Sequence, residues 1–76
     1  MALEVVGRME VAESEQVDIN KAGIVELQRI VHIGEKRARK ILTRRPYRDI
    51  YELSNVLGLG RKRMADIIRQ NIAVVR

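Results

Sequence analysis

The segment Asn55–Ile68 reads NVLGLGRKRMADII. Gly58 and Gly60 bracket one apolar residue, Leu59, and Arg61, Lys62 and Arg63 follow at once. Met64, Ile67 and Ile68 then recur at helical spacing, which puts the three cations in the first turn of a helix. That turn exposes N–H groups without intrahelical partners and carries partial positive charge. Cations are repelled there by about a few tenths of a kcal/mol each, and chains ordinarily place Asp or Glu in the turn. Backbone donors at a helix start, glycines that admit a ligand to the main chain, and clustered cations together make a phosphate site. A bound phosphate would convert an unfavourable first turn into a favourable one.

A second stretch has the same grammar. His32, Ile33 and Gly34 precede Glu35, Lys36 and Arg37. Ile24–Leu42, IVELQRIVHIGEKRARKIL, lies over Ile50–Ile68, IYELSNVLGLGRKRMADII, at an offset of 26 residues. Ile24, Glu26, Leu27, Gly34, Lys36, Arg37 and Ile41 meet identical residues in the second copy. Ile30/Val56, Val31/Leu57, Ile33/Leu59 and Leu42/Ile68 are similar pairs. The chain therefore holds two copies of one unit, which pack most simply as a pseudo-twofold pair around a shared core.

Each unit must supply two helices and a tight turn. In the second copy Asp49 is the expected N-cap, with Glu52 three positions on as a capping box; Gly23 and Glu26 take those places in the first. Leu27, Ile30 and Val31, and then Leu53, Val56 and Leu57, have helical spacing. The second helices bury Ala38, Ile41 and Leu42, and Met64, Ile67, Ile68 and Ile72. Between the copies Pro46 ends a helix at about Arg45, because proline cannot continue the hydrogen-bond ladder. Ile33 and Leu59 are expected to point inward and join their two helices. Tyr47 is expected in the core, Tyr51 half exposed, and Asn20 bonded to loop backbone. The fold class is thus all-α: a small domain of two helix–hairpin–helix motifs with about four to five short helices.

Composition narrows the function. The 76 residues allow one domain at most. No cysteine is present and only one histidine, so disulfides, thiolate metal sites and zinc are excluded as expectations. No apolar run is long enough to span a bilayer and no signal peptide is recognisable, so no membrane is expected for this chain. A cytoplasmic location follows, or an extracytoplasmic one if the sequence is cut from an anchored receptor. The net charge of +5 is uneven. Residues 1–20 carry Glu4, Glu10, Glu13, Glu15 and Asp18 against Arg8, a net of −4. Residues 21–76 carry fourteen Lys and Arg against five acids, a net of +9. A strongly basic small domain points to a polyanionic partner. With Tyr47 and Tyr51 as the only aromatics, single-strand binding by stacking has little support. No nucleophile–base pair, metal set or nucleotide-binding loop is present, so the expectation is a binding module, with no enzymatic activity, no metal and no cofactor.

These residues resemble the helix-hairpin-helix DNA-binding modules. The paired form, with the lead-in Val17-Asp18-Ile19-Asn20-Lys21-Ala22 and the link Pro46-Tyr47, resembles the C-terminal domain family of the competence DNA receptor ComEA. The resemblance covers about residues 17–74. It implies the SAM-like (HhH)2 architecture, with a first motif over 23–45, a second over 49–71, and the domain over 17–76. It further implies sequence-independent binding of double-stranded DNA in uptake (competence), repair or processing. By position the phosphate contacts fall on Ile33, Gly34, Lys36 and Arg37, and on Gly58, Leu59, Gly60, Arg61, Lys62 and Arg63. His32 stands where the family prefers glycine, and Glu35 would repel a phosphate at the first hairpin. The second hairpin is therefore the stronger site. His32 tolerates a left-handed backbone better than most residues, so the turn is expected to survive. It reads foremost as a surface turn residue and secondly as a phosphate donor. The other class of function is a structural or protein-interaction module that kept the fold without DNA, supported by that altered first hairpin and by the acidic residues 1–16. The latter read as a flexible tail, or as a short strand pairing with another chain or with the C-terminal IAVVR. A protein partner or a larger parent protein fits either class, and the oligomeric state is open.

Overall fold

The structure is a computed structural model that describes residues 15–76. The element order is β1 (Val17–Asp18), α1 (Ile24–Leu27), α2 (Glu35–Thr43), α3 (Glu52–Leu57), α4 (Arg61–Gln70) and β2 (Ala73–Val74). α1 packs on α2, α2 on α3 and α3 on α4, so two helical hairpins stand side by side. The aligned pairs Leu27/Leu53, Ile33/Leu59, Ala38/Met64 and Ile41/Ile67 are all buried, so both copies feed one core from equivalent positions.

The first helices of the two copies end differently. α3 is regular to Leu57. α1 stops after four residues and continues as three-residue turns, with Gln28, Arg29 and Ile30 N–H donating to Val25, Glu26 and Leu27 carbonyls. The Gln28 side-chain amide donates to Ile24 O (3.3 Å), the carbonyl that Gln28 N–H would use in a continued α-helix. Side chains three apart eclipse in such turns. Ile30 therefore falls directly over Leu27 and is buried, whereas in α3 the residue four places after Leu53, Leu57, is the buried one.

The capping box expected at Asp49 and Glu52 is displaced by a turn. Asp49 Oδ1 accepts from Tyr51 N–H (2.9 Å) and Glu52 Oε2 accepts from Arg48 N–H (3.1 Å). Leu53 and Ser54 N–H donate to Ile50 and Tyr51 carbonyls, so a tight turn precedes α3, which begins at Glu52 itself.

Among the described residues the fold is helical apart from one two-strand pairing. β1 and β2 are parallel, with Val17 opposite Ala73 and Asp18 opposite Val74. Val17 N–H donates to Ile72 O (2.6 Å) and Ile19 N–H to Val74 O (3.0 Å). The C-terminal IAVVR thus pairs with the lead-in. The tail or strand expected for residues 1–16 lies, up to residue 14, outside the described residues. Asn20 clamps the link between the copies: Tyr47 N–H donates to its Oδ1 (2.7 Å) and its amide donates to Tyr47 O (3.0 Å). Arg45 donates to the carbonyls of Ile19 (2.7 Å) and Ala22. Tyr47 is buried with its hydroxyl on Ile41 O (2.9 Å), and burial pushes its pKa up. Lead-in, link and C-terminus are thus tied to one another.

Candidate nucleic-acid interface

The second hairpin is built by Ser54 and two glycines. Gly58 closes α3 in the left-handed region (φ 66°), a conformation that costs L-residues roughly 1–2 kcal/mol. Gly58 and Leu59 N–H both donate to Ser54 O, and Ser54 Oγ donates to Leu59 O (3.1 Å). Leu59 points inward and pins the turn. Gly60 is the N-cap of α4 with an extended backbone (φ −79°), which any residue adopts. A Cβ added there would meet nothing within 4 Å. Neither backbone geometry nor internal packing therefore calls for glycine at 60; its effect is to leave the main chain bare toward the outside.

α4 begins just beyond that bare turn. Its first helical bond runs from Met64 N–H to Gly60 O (3.0 Å), so the N–H groups of Arg61, Lys62 and Arg63 have no partner in the helix. There is no side-chain cap and no acid in the first turn. Arg61, Lys62 and Arg63 are exposed and have no ion-pair partner among the described residues.

The first hairpin has the same path with different chemistry. His32 occupies the left-handed region (φ 69°), as Gly58 does, so the turn keeps its shape without glycine. Ile33 is buried and Gly34 is the extended N-cap of α2. His32 Nε2 is 2.8 Å from Asp66 Oδ2 on α4. His32 O accepts from the Arg37 guanidinium (2.9 Å). Glu35 occupies the first turn and pairs with Arg39 (2.6 Å). The His32 hydrogen bond holds the Asp66 carboxyl below the usual carboxylate range; burial opposes this, and the charges of His32, Arg69 and Lys62 reinforce it. The His32 side chain thus bridges the two copies.

Three further features surround the hairpins, of which Lys40 and Arg44 belong to the cationic run 35–45 that the sequence already marks. Gln70 spans the copies, accepting from Val31 N–H (2.9 Å) and donating to Arg29 O (3.0 Å). Lys40, Arg44 and Arg48 extend the exposed or unpaired cations to the α2 side, with no ion-pair partner among the described residues. Asp66 is the partner of His32. A signal for that pair was present: the repeat departs from itself at His32/Gly58 and at Lys40/Asp66 together. Among the described residues no cluster of His, Cys, Asp and Glu could hold a metal ion, and no helix is long and apolar enough to cross a membrane.

Two left-handed turns, each joining a pair of short helices through an inward apolar residue, define the helix-hairpin-helix class. The helix-hairpin-helix motif family matches residues 12–70, and the chain belongs to that family. It is 37% identical over 60 residues to a protein named deoxyribonuclease from Thioalkalivibrio sp. (strain K90mix). The match covers 76% of this chain and 17% of that relative, so the chain corresponds to a small part of that protein's length. No solved structure matches it. Family and relative together support nucleic-acid binding.

Proposed function

We propose that this domain binds double-stranded DNA without reading its sequence, as a phosphate-gripping module in DNA uptake, repair or processing. The observation that carries the reading is the start of α4. Uncapped N–H groups, three exposed cations without an ion-pair partner among the described residues and a glycine that serves no internal need converge on one turn. A backbone phosphate satisfies all three at once. Gly58, Leu59 and Gly60 shape the turn, and Arg61, Lys62 and Arg63 supply the charge. Gly34, Lys36 and Arg37 form the weaker second contact, with Ile33 as its anchor. Phosphate contacts position a protein on a duplex and carry no sequence information directly.

The chain itself works without catalysis. In a longer protein of the deoxyribonuclease kind its part would be to hold the substrate, with cleavage residues elsewhere. The test is fluorescence anisotropy on a random-sequence duplex of about 20 base pairs across a salt series, with a Gly60→Pro variant alongside. Proline fits the φ at Gly60 but removes its N–H and covers the bare turn. With about four to six phosphates engaged, the log–log salt slope should be near −4 to −5, at about −0.9 per phosphate. The folded variant should lose most of the affinity. Weak, salt-insensitive binding equal in both proteins would sink the reading and favour a protein-interaction module.

A further inference from the structure

The repeat breaks its own symmetry where the two copies touch. In one half the His32 ring reaches α4 and hydrogen-bonds Asp66 (2.8 Å). The equivalent residues in the other half are Gly58, with no side chain, and Lys40 on α2. There the space is open. A cleft of about 380 Å³ is lined by Lys36, Arg37, Lys40 and Leu57. These are the repeat counterparts of Lys62, Arg63, Asp66 and Val31, so the cleft occupies the place that His32 and Asp66 close on the opposite side. Its lining has three cations and no carboxylate. Lys36 and Lys40 are exposed with no ion-pair partner among the described residues. Arg37 is oriented by its bond to His32 O and keeps further N–H donors free on its guanidinium fork. Leu57, nearly buried, supplies an apolar floor.

We infer that this cleft is a separate subsite for one sugar–phosphate unit of a nucleic-acid backbone, with Lys40 as its principal new contact. Lys36, Lys40 and Arg37 face the phosphate oxygens, and Leu57 packs on the sugar. An apolar floor beneath three cations suits a phosphodiester better than a free inorganic anion, which offers nothing to bury. The inference rests on the DNA-binding reading and deepens it. The cleft beside the second hairpin adds to the weaker contact at the first hairpin, where His32 is bonded to Asp66 and its carbonyl to Arg37. Its pseudo-symmetric counterpart cannot serve, since Asp66 would face the phosphate.

The test uses the same duplex and salt series with Lys40→Met, which keeps the stem and removes the charge. Lys21→Met, on the lead-in, controls for loss of any one cation. Leu57 methyl resonances are followed during duplex titration of the unmodified protein. The expected result is a slope shallower by roughly 0.9 and a several-fold weaker affinity for Lys40→Met. Lys21→Met should stay within about twofold of the parent, and the Leu57 methyls should shift on binding. If the parent binds steeply but Lys40→Met behaves as Lys21→Met and Leu57 is unmoved, the cleft is not a subsite and the hairpin reading stands. If the parent itself fails to bind, both readings fall.

Discussion

The two hairpins share a backbone and differ in what they offer to solvent. Each enters its turn through a left-handed residue, His32 at φ 69° and Gly58 at φ 66°, and each sends an apolar side chain, Ile33 or Leu59, into the core. Beyond that, the side chains around the first hairpin find partners within the fold. Its histidine is bonded to Asp66, its carbonyl to Arg37, and its helix start carries Glu35. Neither helix start has a side-chain cap, but α4 opens with three exposed cations that have no ion-pair partner among the described residues and no acid in its first turn. A duplicated unit has thus kept its interior and divided its surface, one turn fastening the copies together and the other leaving its glycines and cations open to solvent. Polar groups that find partners inside a fold stiffen it, whereas groups left without them are what a ligand can satisfy.

The largest expected effect tests the shared interior. Ile33→Ala and Leu59→Ala should each destabilise the domain by about 2–4 kcal/mol, read from urea unfolding. A much smaller loss in one of them would show that its hairpin is not anchored and that the likeness is superficial. Next comes the turn itself. Gly58→Ala should cost about 1–2 kcal/mol, because alanine resists the left-handed region and no packing compensates. A neutral result would mean that the turn relaxes to another conformation in solution.

The surfaces separate in a third experiment. Gly34→Ala and Gly60→Ala both add a methyl into open space at an extended helix N-cap, so both should fold with small and similar losses of stability. On a duplex, Gly60→Ala should weaken binding several-fold while Gly34→Ala stays within about twofold. Equal losses would make the hairpins functionally equivalent and remove the division of labour.

Much of this was legible because the repeat states it twice. Leu27/Leu53, Ile33/Leu59 and Ile41/Ile67 occur at one offset and are buried in both copies, whereas in the pair Leu42/Ile68 the second member, expected in the buried stripe, is exposed. The cation cluster at Arg61–Arg63 stood out because it opposes the helix dipole, an argument that needs no structure. The short exit of α1 was not legible: it turns on whether Gln28 bonds backward to Ile24 O, a choice between near-equal local hydrogen bonds. Nor was the pairing of Val17–Asp18 with Ala73–Val74, since two residues are too few to show alternation and the partners are 56 positions apart. The His32–Asp66 pair required knowing that α4 of one copy lies against the turn of the other.

That pair carries the smallest predicted effect, and its pH dependence distinguishes a real fastening from a chance proximity. Asp66 is held below its usual carboxylate range chiefly by the His32 hydrogen bond. A carboxyl whose pKa is depressed on folding stabilises the folded state above its unfolded pKa, near 4, and that contribution is lost as pH falls through the folded value. The parent should therefore be more stable than Asp66→Asn at pH 6, and the gap should narrow progressively as the pH is lowered from about 4, in parallel thermal unfolding series. The contact is part-exposed, so the gap is screened and salt should reduce it. Lys40→Ala, at the equivalent place in the other copy, should show no such gap opening between acid and neutral pH. A constant difference for Asp66→Asn at every pH would mean that the two copies are joined by packing alone, and the closed turn would then owe nothing to its histidine.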